Sequence, residues 1–236
     1  MKAIILAAGK GTRISRMVEA VPKSTLPING VPLIRITVEK FIEYGIEPIV
    51  CVGYESEKIK KALSGLNVKY YTNPFFDITN SLATLWFANE DIEGELVIIN
   101  ADVYFSGKIL DNLLASPYEV VMAMDTSRTV EGDYFFKTTD NGCISKYGKE
   151  LPLEERSCEY VGLVKISETF TPAFRERLNN LIAKQCHHMW WENVLYSFAD
   201  EKKYDIHTMD VSGIFWSEID YFDDYERILN YISKKE

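Results

Sequence analysis

Short apolar, β-branched runs alternate with amphipathic helical patterns along the first hundred residues, and this alternation constrains the fold more than any other feature. Residues 2–6 and 48–52 are apolar runs, and residues 33–44 between them carry apolar side chains at helical spacing. Such alternation predicts an α/β fold, a mostly parallel central sheet with helices on both faces. Ligands of these sheets bind beside the carboxyl ends of the strands.

The same patterns continue to the end of the chain. Further strands are predicted at 68–71, 95–100, 119–124, 134–138, 160–166 and around Ile214, and further helices at 57–63, 81–89, 172–184, 191–199 and 222–232. No repeat, low-complexity tract or linker divides the 236 residues. We therefore expect a single domain, 1–236.

Composition excludes several classes of partner. The chain has 26 Lys plus Arg against 35 Asp plus Glu, a net charge of -9, which argues against nucleic acid or an anionic membrane as partner. The apolar run at 3–8 is too short to span a bilayer, and no signal peptide follows it. The four cysteines form no CxxC pair, and no histidine has a second ligand at metal-binding spacing. We expect reduced thiols and a cytoplasmic protein.

The loop after the first strand combines small residues with positive charge. Its members are Leu6, Ala8, Gly9, Lys10, Gly11, Thr12 and Arg13. Two glycines let backbone N–H groups approach an anion, so the loop is a predicted phosphate cradle, although a tight turn without a ligand is the alternative. The loop lacks the third glycine of GxGxxG and is not a Walker loop. Pro22 fixes the local backbone, so Lys23 can be aimed back across the glycines.

Carboxylates at two distant points suggest a metal site. Asp102 directly follows a buried strand, where an oxygen ligand suits Mg²⁺, although a turn-capping Asp is the alternative. Glu218 and Asp220 lie two apart and would share one face of a strand. One of them is expected to bind Mg²⁺ with Asp102, and the choice between them stays open. The alternative is that both acids belong to a solvated acidic edge of the sheet.

Residues 6–13, Pro22-Lys23 and 26–34 together resemble the nucleotidyltransferase family that makes nucleoside-diphosphate sugars and CDP-alcohols. The resemblance is close over the first 34 residues, and the order of strands extends it to about residue 105. It implies a Rossmann-like nucleotidyltransferase fold with a small acceptor-side insertion. Residues 1–118 would form the nucleotide-binding half, and 119–236 the acceptor-binding and closing half. Arg13 and Lys23 would be the catalytic cations beside the phosphates, and Asp102 with the late acid would hold Mg²⁺.

The resemblance also places the base and the acceptor. Tyr54, Asn80 and Ser81 would lie near the base, although Asn80 also suits a helix N-cap, and Ala101 would belong to the nucleotide-binding site. The run at 80–82 resembles the branch acting on choline phosphate and related phosphoesters, which points to CTP. Acceptor candidates are Asp133, Tyr134, Phe136, Lys149, Glu159, Trp190, Trp191 and Glu192. Aromatic faces and carboxylates can hold an ammonium group. The alternatives are that the rings pack in the core and that Lys149 is an ordinary surface lysine.

These features predict a cytidylyltransferase that transfers CMP from CTP to a small phosphorylated molecule and releases pyrophosphate. The acceptor phosphate is already anionic, so no general base is required. A sugar-1-phosphate nucleotidyltransferase, a glycosyltransferase using a nucleotide sugar, and a non-catalytic domain on this fold are the alternatives. The oligomeric state stays open, with a homo-oligomer as one option.

Overall fold

The computed structural model describes residues 1–11 and 21–234, and its elements follow the predicted alternation. The strands are β1 (Lys2–Ala7), β2 (Pro27–Ile28), β3 (Val31–Pro32), β4 (Glu47–Val52), β5 (Lys69–Thr72), β6 (Leu96–Asn100), β7 (Val103–Phe105), β8 (Val120–Asp125), β9 (Phe135–Thr138), β10 (Ile144–Gly148), β11 (Cys158–Ile166), β12 (His207–Asp210) and β13 (Trp216–Glu218). The helices are α1 (Leu33–Glu43), α2 (Ser56–Ala62), α3 (Ser81–Phe87), α4 (Gly107–Ala115), α5 (Thr171–Ala183), α6 (Asn193–Glu201) and α7 (Phe222–Ser233).

The centre of the main sheet is parallel. Strands β6, β1, β4 and β5 lie side by side in that order and run in the same direction. Strand β11 runs antiparallel to β6 and also pairs with β8 and β9. The β9–β10 hairpin and the parallel pair β8–β12 extend the sheet from there. The parallel centre aligns the carboxyl ends of β1 and β6 at one edge, which is where a ligand site is expected.

Helices cover both faces of the sheet, as predicted. Alternate residues of β1 enter two separate cores: Ile4 packs with α3, α5 and α6, whereas Ile5 packs with α1, α2 and α4. A third, smaller cluster buries Ile228 of α7 against Leu33 and the β2–β3 segment. The mixed but mostly parallel sheet with helices on both faces confirms the predicted fold class.

Most predicted elements begin and end within two residues of the observed ones, but the chain near Ile214 differs. Ile214 lies in a bend after Gly213, whose φ is +79°, and the strand begins only at Trp216. That strand ends at Glu218, so the prediction that Glu218 and Asp220 share one strand is wrong. The carboxylate of Asp224 accepts hydrogen bonds from the N–H groups of Asp220 and Tyr221, which turns the chain into α7.

Several elements were not predicted. They are helix α4 and strands β2, β3, β7, β10 and β12. The strands among them are short, and β10 and β12 carry polar or half-exposed residues, so they lack the apolar alternation that identifies a strand. Helix α4 does carry a signal, because Ile109, Leu110 and Leu113 form one buried apolar face. Among the helices in residues 1–11 and 21–234, none combines the length and apolar character that crossing a bilayer requires.

Candidate active site

A cavity of about 400 Å³ opens at the carboxyl ends of β1 and β6. It collects residues from both halves of the chain. The sequence-predicted residues that line it are Leu6, Ala8, Gly9, Gly11, Lys23, Asn80, Ser81, Ala101, Asp102, Asp133, Tyr134, Lys149, Trp190, Glu192, Glu218 and Asp220. The cavity is therefore the candidate active site.

One wall of the cavity is the glycine loop that follows β1. Gly11 adopts a φ of +57°, a conformation that favours glycine. A Cβ atom at this position would lie 2.5 Å from Cγ of Lys23, so the absence of a side chain allows Lys23 to cross the loop. Thr12 and Arg13, two further candidates for this wall, lie outside the described residues.

Three carboxylates meet at this end of the cavity. One oxygen each of Asp102, Glu218 and Asp220 lies within 4.8 Å of the others. Strand β13 pairs with β7, and Glu218 is paired in register with Val103, which brings it beside Asp102. The N–H of Ile219 donates to the backbone oxygen of Asp102 at 3.0 Å and holds the two segments together. The backbone thus assembles an oxygen-only cluster from distant parts of the sequence.

Lys23 is the cation within this cluster. Its Nζ lies 3.7 Å from Oδ2 of Asp102 and donates a hydrogen bond to Asp220. Burial disfavours the charged ammonium, but the charges of Asp102 and Asp220 outweigh this effect and raise the pKa of Lys23. Lys23 therefore stays positively charged at neutral pH.

Glu218 experiences the opposite balance. Burial, followed by the charges of Asp102 and Asp220, raises its pKa well above the ordinary value. Among the described residues, three acids stand against one lysine in this cluster, which leaves an excess of negative charge when all are ionised. A divalent cation bound by these oxygens would remove that excess, and hard cations such as Mg²⁺ take oxygen ligands.

The other end of the cavity is an aromatic box around Glu192, formed by Tyr134, Tyr160, Trp190 and Tyr196. The ring of Tyr134 stacks on that of Tyr196 at 5.6 Å between centroids and meets Trp190 edge-on at 5.8 Å. The hydroxyl oxygen of Tyr160 is buried and has no hydrogen-bond partner among the residues that the structure describes. The aromatic box thus presents ring faces and one unsatisfied hydroxyl to a ligand.

Glu192 provides the charge in the aromatic box. It is 7 % exposed, and its Oε1 accepts a hydrogen bond of 3.3 Å from Nδ2 of Asn100. Burial is the largest cause that raises its pKa to about 7. Lys149 lies at the rim, where its Nζ is 2.6 Å from Oδ2 of Asp133 and 5.1 Å from the centre of the Trp190 ring. Because Lys149 and Asp133 balance each other, the net charge of this end comes from Glu192.

The start of helix α3 lies between the two ends. Oδ1 of Asn80 accepts a hydrogen bond of 2.8 Å from the N–H of Ser81, so Asn80 caps the helix while it lines the cavity. Oγ of Ser81 accepts a hydrogen bond of 3.0 Å from the N–H of Trp191. Two of the predicted base-binding side chains thus also have structural partners, since Asn80 caps α3 and Ser81 joins α3 to the segment that carries Trp190 and Glu192.

Five predicted residues are not brought to the cavity. Phe136 and Trp191 are fully buried core residues, and Glu159 is buried with one oxygen 2.8 Å from Nε of Arg128. Nζ of Lys10 lies 5.6 Å from the centre of the Phe76 ring, and the N–H of Tyr54 donates to the backbone oxygen of Ala8. These five residues support the walls of the cavity rather than line it.

Other residues that line the cavity were not among the predicted site residues. They are Ala7, Ser24, Phe76, Thr79, Thr84, Asn100, Tyr160 and Tyr196. A signal existed for two of them: Asn100 ends the strand that delivers Asp102, and Tyr196 follows Glu192 by four residues on one helix face. Tyr160 gave no such signal, because only the pairing of β11 with its neighbours brings its hydroxyl to the cavity.

Comparison with known proteins agrees with this geometry. Residues 3–190 match the MobA-like NTP transferase domain, and the chain therefore belongs to that family of nucleotidyltransferases. The family membership expected from the glycine-loop segment is confirmed.

Individual relatives give a finer comparison. The chain is 27% identical to the choline-phosphate cytidylyltransferase of Streptococcus pneumoniae, over 97% of this chain and 96% of the relative. It is also 27% identical to the CTP:phosphoglutamine cytidylyltransferase of Campylobacter jejuni, over 96% of this chain and 98% of that protein. The solved CTP:phosphocholine cytidylyltransferase structure from Streptococcus pneumoniae superposes with a TM-score of 0.79, at 20% identity over 98% of each chain.

Proposed function

We propose that this chain is a Mg²⁺-dependent cytidylyltransferase that transfers CMP from CTP to a small phosphorylated amino alcohol or related phosphoester and releases pyrophosphate. One observation carries the proposal. A single cavity holds an oxygen-only carboxylate cluster with Lys23 at one end and an aromatic box with a buried glutamate at the other. The first end suits a nucleotide's phosphates with their metal ion, and the second suits a cationic group.

The carboxylate cluster fits Mg²⁺ by its chemistry. Asp102, Glu218 and Asp220 would hold the ion, and all three offer oxygen, the ligand type that Mg²⁺ prefers. When bound, the ion would neutralise charge on the phosphate oxygens. Asp102 comes from the first half of the chain and the other two acids from the second. The chain would form one domain. Residues 1–118 would contribute most of the nucleotide site, and residues 119–236 would contribute the acceptor site and close the cavity.

The chain's own groups would do the remaining work on the phosphates. The glycine loop places backbone beside the cavity with little steric obstruction, and Lys23 brings a positive charge to it. Such charge stabilises the transition state of transfer to the α-phosphorus. The attacking phosphate of the acceptor is already anionic, so a base is not needed. No histidine lines the part of the cavity that the structure describes.

The acceptor would lie with its ammonium group in the aromatic box. Glu192 supplies the negative charge, and the rings of Tyr134 and Trp190 supply faces for cation–π attraction. The hydroxyl of Tyr160, which has no partner in the described part of the chain, can donate a hydrogen bond to an oxygen of the acceptor. The two relatives are named for phosphocholine and phosphoglutamine, two small phosphorylated molecules that carry nitrogen. The names of the same two relatives, together with the 80–82 segment, support CTP as the nucleotide. The enzyme would act in the cytoplasm.

A substrate panel tests the proposal directly. Release of pyrophosphate would be measured with CTP, UTP, dTTP and ATP, each with choline phosphate, ethanolamine phosphate, glutamine phosphate, an aminoalkylphosphonate, inositol phosphate or glucose-1-phosphate, in the presence of Mg²⁺. We expect turnover with CTP and an acceptor that carries an ammonium group, either quaternary or a protonated amine. Turnover with glucose-1-phosphate alone would reject this acceptor class, and no pyrophosphate from any triphosphate would reject the reaction.

A matched pair of tryptophan variants tests where the acceptor binds. Trp190 and Trp86 are similarly exposed, but only Trp190 lines the cavity. We expect Trp190→Ala to raise the KM for the acceptor about 5- to 30-fold, as loss of one cation–π contact predicts, and Trp86→Ala to leave it unchanged. Equal effects of the two substitutions on KM would contradict the proposed acceptor position.

A further inference from the structure

A second cluster of metal-ligand groups lies outside the candidate active site. Cys143, Asp205 and His207 each contribute one ligand atom, and these atoms lie within 4.8 Å of one another. None of the three residues lines the cavity described above. The sequence pattern indicates no metal site for these cysteines and histidines, because Cys143 is far along the chain from Asp205 and His207. Folding brings them together.

Backbone hydrogen bonds hold two of the ligands in place without a metal. Cys143 and His207 face each other in an isolated antiparallel bridge. The N–H of Thr208 donates to the oxygen of Gly142 at 2.8 Å, and the N–H of Ile144 donates to the oxygen of Ile206 at 2.9 Å. These bonds flank both ligands, so binding of an ion would require little ordering of the chain.

The imidazole of His207 is also fixed, and one of its nitrogens has no partner among the described residues. Its ring stacks on Tyr118 with centroids 3.7 Å apart and planes 6° apart. Its Nδ1 is buried and has no hydrogen-bond partner within residues 1–11 and 21–234. A buried polar atom without a partner is unfavourable. A metal ion coordinated through Nδ1 would give this atom a partner.

The types of donor determine which ion the cluster would take. A thiolate, an imidazole and a carboxylate suit zinc, usually in tetrahedral geometry, with water as the fourth ligand where the protein supplies three. Mg²⁺ and Ca²⁺ prefer oxygen alone. Cys143 is buried, His207 is partly buried and Asp205 is exposed, so the ion can enter from the side of Asp205.

We propose that Cys143, Asp205 and His207 form a zinc site that joins the turn of the β9–β10 hairpin to edge strand β12. The site is separate from the carboxylate cluster of the active site and differs from it in donor chemistry. The ion would hold the hairpin at the edge of the sheet, since Cys143 lies in the turn before β10 and His207 begins β12.

Cobalt(II) provides a direct spectroscopic test. Untagged, reduced protein would be titrated with Co²⁺ in the presence of excess Mg²⁺, which occupies oxygen-only sites. We expect a thiolate-to-cobalt charge-transfer band that saturates at one equivalent and is lost when Zn²⁺ is added. A folded protein that shows no such band would overturn the proposal.

Variants identify the ligands. Cys143→Ser should abolish the band, and the matched control Cys186→Ser, which removes a partly exposed thiol beside His187, should retain it. His207→Gln and Asp205→Asn should each lower the Co²⁺ affinity at least about 10-fold, because even outer-shell substitutions cost this much. Asp205 is exposed, so its substitution leaves the fold intact. Retention of the band in Cys143→Ser, or unchanged affinity in either of the other variants, would refute the three-ligand site.

Discussion

Lys23 is the residue whose surroundings most clearly indicate a role in charge stabilisation. It is 8 % exposed, carries its charge among three acids, and passes over Gly11 of the glycine loop. A lysine held this way has lost most of its conformational freedom before a substrate arrives. Its charge is thus already in position when negative charge develops on a phosphate oxygen, which is the condition for a large contribution to catalysis.

Replacement of Lys23 by alanine should therefore reduce turnover more than binding. We expect Lys23→Ala to lower kcat about 100- to 1,000-fold, the usual effect of removing one preorganised charge or donor from a transition state. The Mg²⁺ concentration that gives half-maximal activity should not increase, because the ammonium of Lys23 no longer competes with Mg²⁺ for the carboxylates. Steady-state kinetics at several Mg²⁺ concentrations would measure both quantities. Lys60→Ala removes a partly exposed lysine that does not line the cavity and should change neither. An unchanged kcat in Lys23→Ala would exclude a catalytic role.

Glu192 gives a prediction about pH. Its pKa is about 7 in the folded protein, so the side chain becomes neutral as the pH falls below that value. A cationic acceptor prefers the carboxylate, so kcat/KM for the acceptor should fall as the pH decreases below about 7 and level off above it. Glu192→Gln should lower kcat/KM roughly 10- to 150-fold, as loss of a charged hydrogen bond predicts, and remove this dependence on pH.

A matched glutamate separates this effect from other titrations. Burial also raises the pKa of Glu159 to about 7, but Glu159 lies outside the cavity. The acceptor phosphate itself titrates near ~6, so every variant must be compared with the same acceptor. Glu159→Gln should retain the fall in kcat/KM below pH 7. Persistence of the full step in Glu192→Gln would show that another group is responsible.

Elementary sheet geometry predicted the placement of single residues where the motif was local, and elsewhere the prediction depended on the resemblance to the family. Gly9, Gly11 and Asp102 follow strands directly, so the carboxyl-end rule places them at the cavity. Phe136 and Trp191 show the limit of this reasoning. Both belong to aromatic runs that also contain cavity residues. Tyr134 and Phe136 are two apart and share a face by alternation, yet Tyr134 lines the cavity and Phe136 is buried in the core. Packing of α6 against the sheet decides that, and it depends on contacts between distant segments.

At the scale of elements, strand β11 determines how the aromatic box is attached to the sheet. Its pairing with β8 shifts register between Tyr160 and Val164, and Gly162 within this irregularity has a φ of +88°. A Cβ at Gly162 would lie 2.9 Å from Cγ2 of Val103 and 3.5 Å from Nδ2 of Asn100. The shift in register thus places Tyr160 at the cavity while β11 approaches the segment that holds Asn100 and Asp102.

Two glycine variants can separate backbone strain from close packing. Gly65 has a φ of +86° with no atom near the added Cβ, whereas Gly162 has both the strain and the contact. We expect Gly65→Ala to destabilise the protein by about 1 to 2 kcal/mol and Gly162→Ala by about 2 to 5 kcal/mol, because overpacking adds to the strain. Urea denaturation would measure the difference. Gly162→Ala should also raise the acceptor KM, and equal losses of stability would mean that the contact with Val103 does not matter.

The sequence predicted elements better than it predicted how they join. The long apolar strands and amphipathic helices were located because their periodicity is local. The segment from Ile214 to Asp220 was not, because hydrogen bonds from Asp220 and Tyr221 to Asp224 end the strand early. Both Glu218 and Asp220 still line the cavity, although they reach it from a strand and a helix-capping turn rather than from one strand face.

At the scale of the whole molecule, negative charge is present both over the surface and inside the cavity. The chain carries a net charge of -9, and three of its carboxylates crowd together beside one lysine. Exposed charges are screened by salt, whereas partly buried ones are screened much less. The two contributions to stability can therefore be separated by ionic strength.

Glu218 provides the variant for that separation. Because its pKa is raised in the fold, the metal-free protein should lose stability as the pH rises above about 4.3, the ordinary glutamate value. In a chelating buffer at neutral pH we expect Glu218→Gln to raise Tm by about 2 to 4 °C, the shift that 1 kcal/mol produces in a protein of this size, while activity is lost. Mg²⁺ should raise the Tm of the native protein and have a smaller effect on the variant.

The control for this prediction removes the same unit of charge from the surface. Glu226 is an exposed acid on α7, so Glu226→Gln changes the net charge equally but leaves the carboxylate cluster intact. Any stabilisation it gives should disappear at about 0.5 M salt, where the screening length is only a few ångströms. The stabilisation by Glu218→Gln should persist there, because it arises from repulsion between groups in contact. Equal loss of both Tm increases in salt would mean that the carboxylates of the cavity do not repel one another strongly, and it would contradict a cation site at this position.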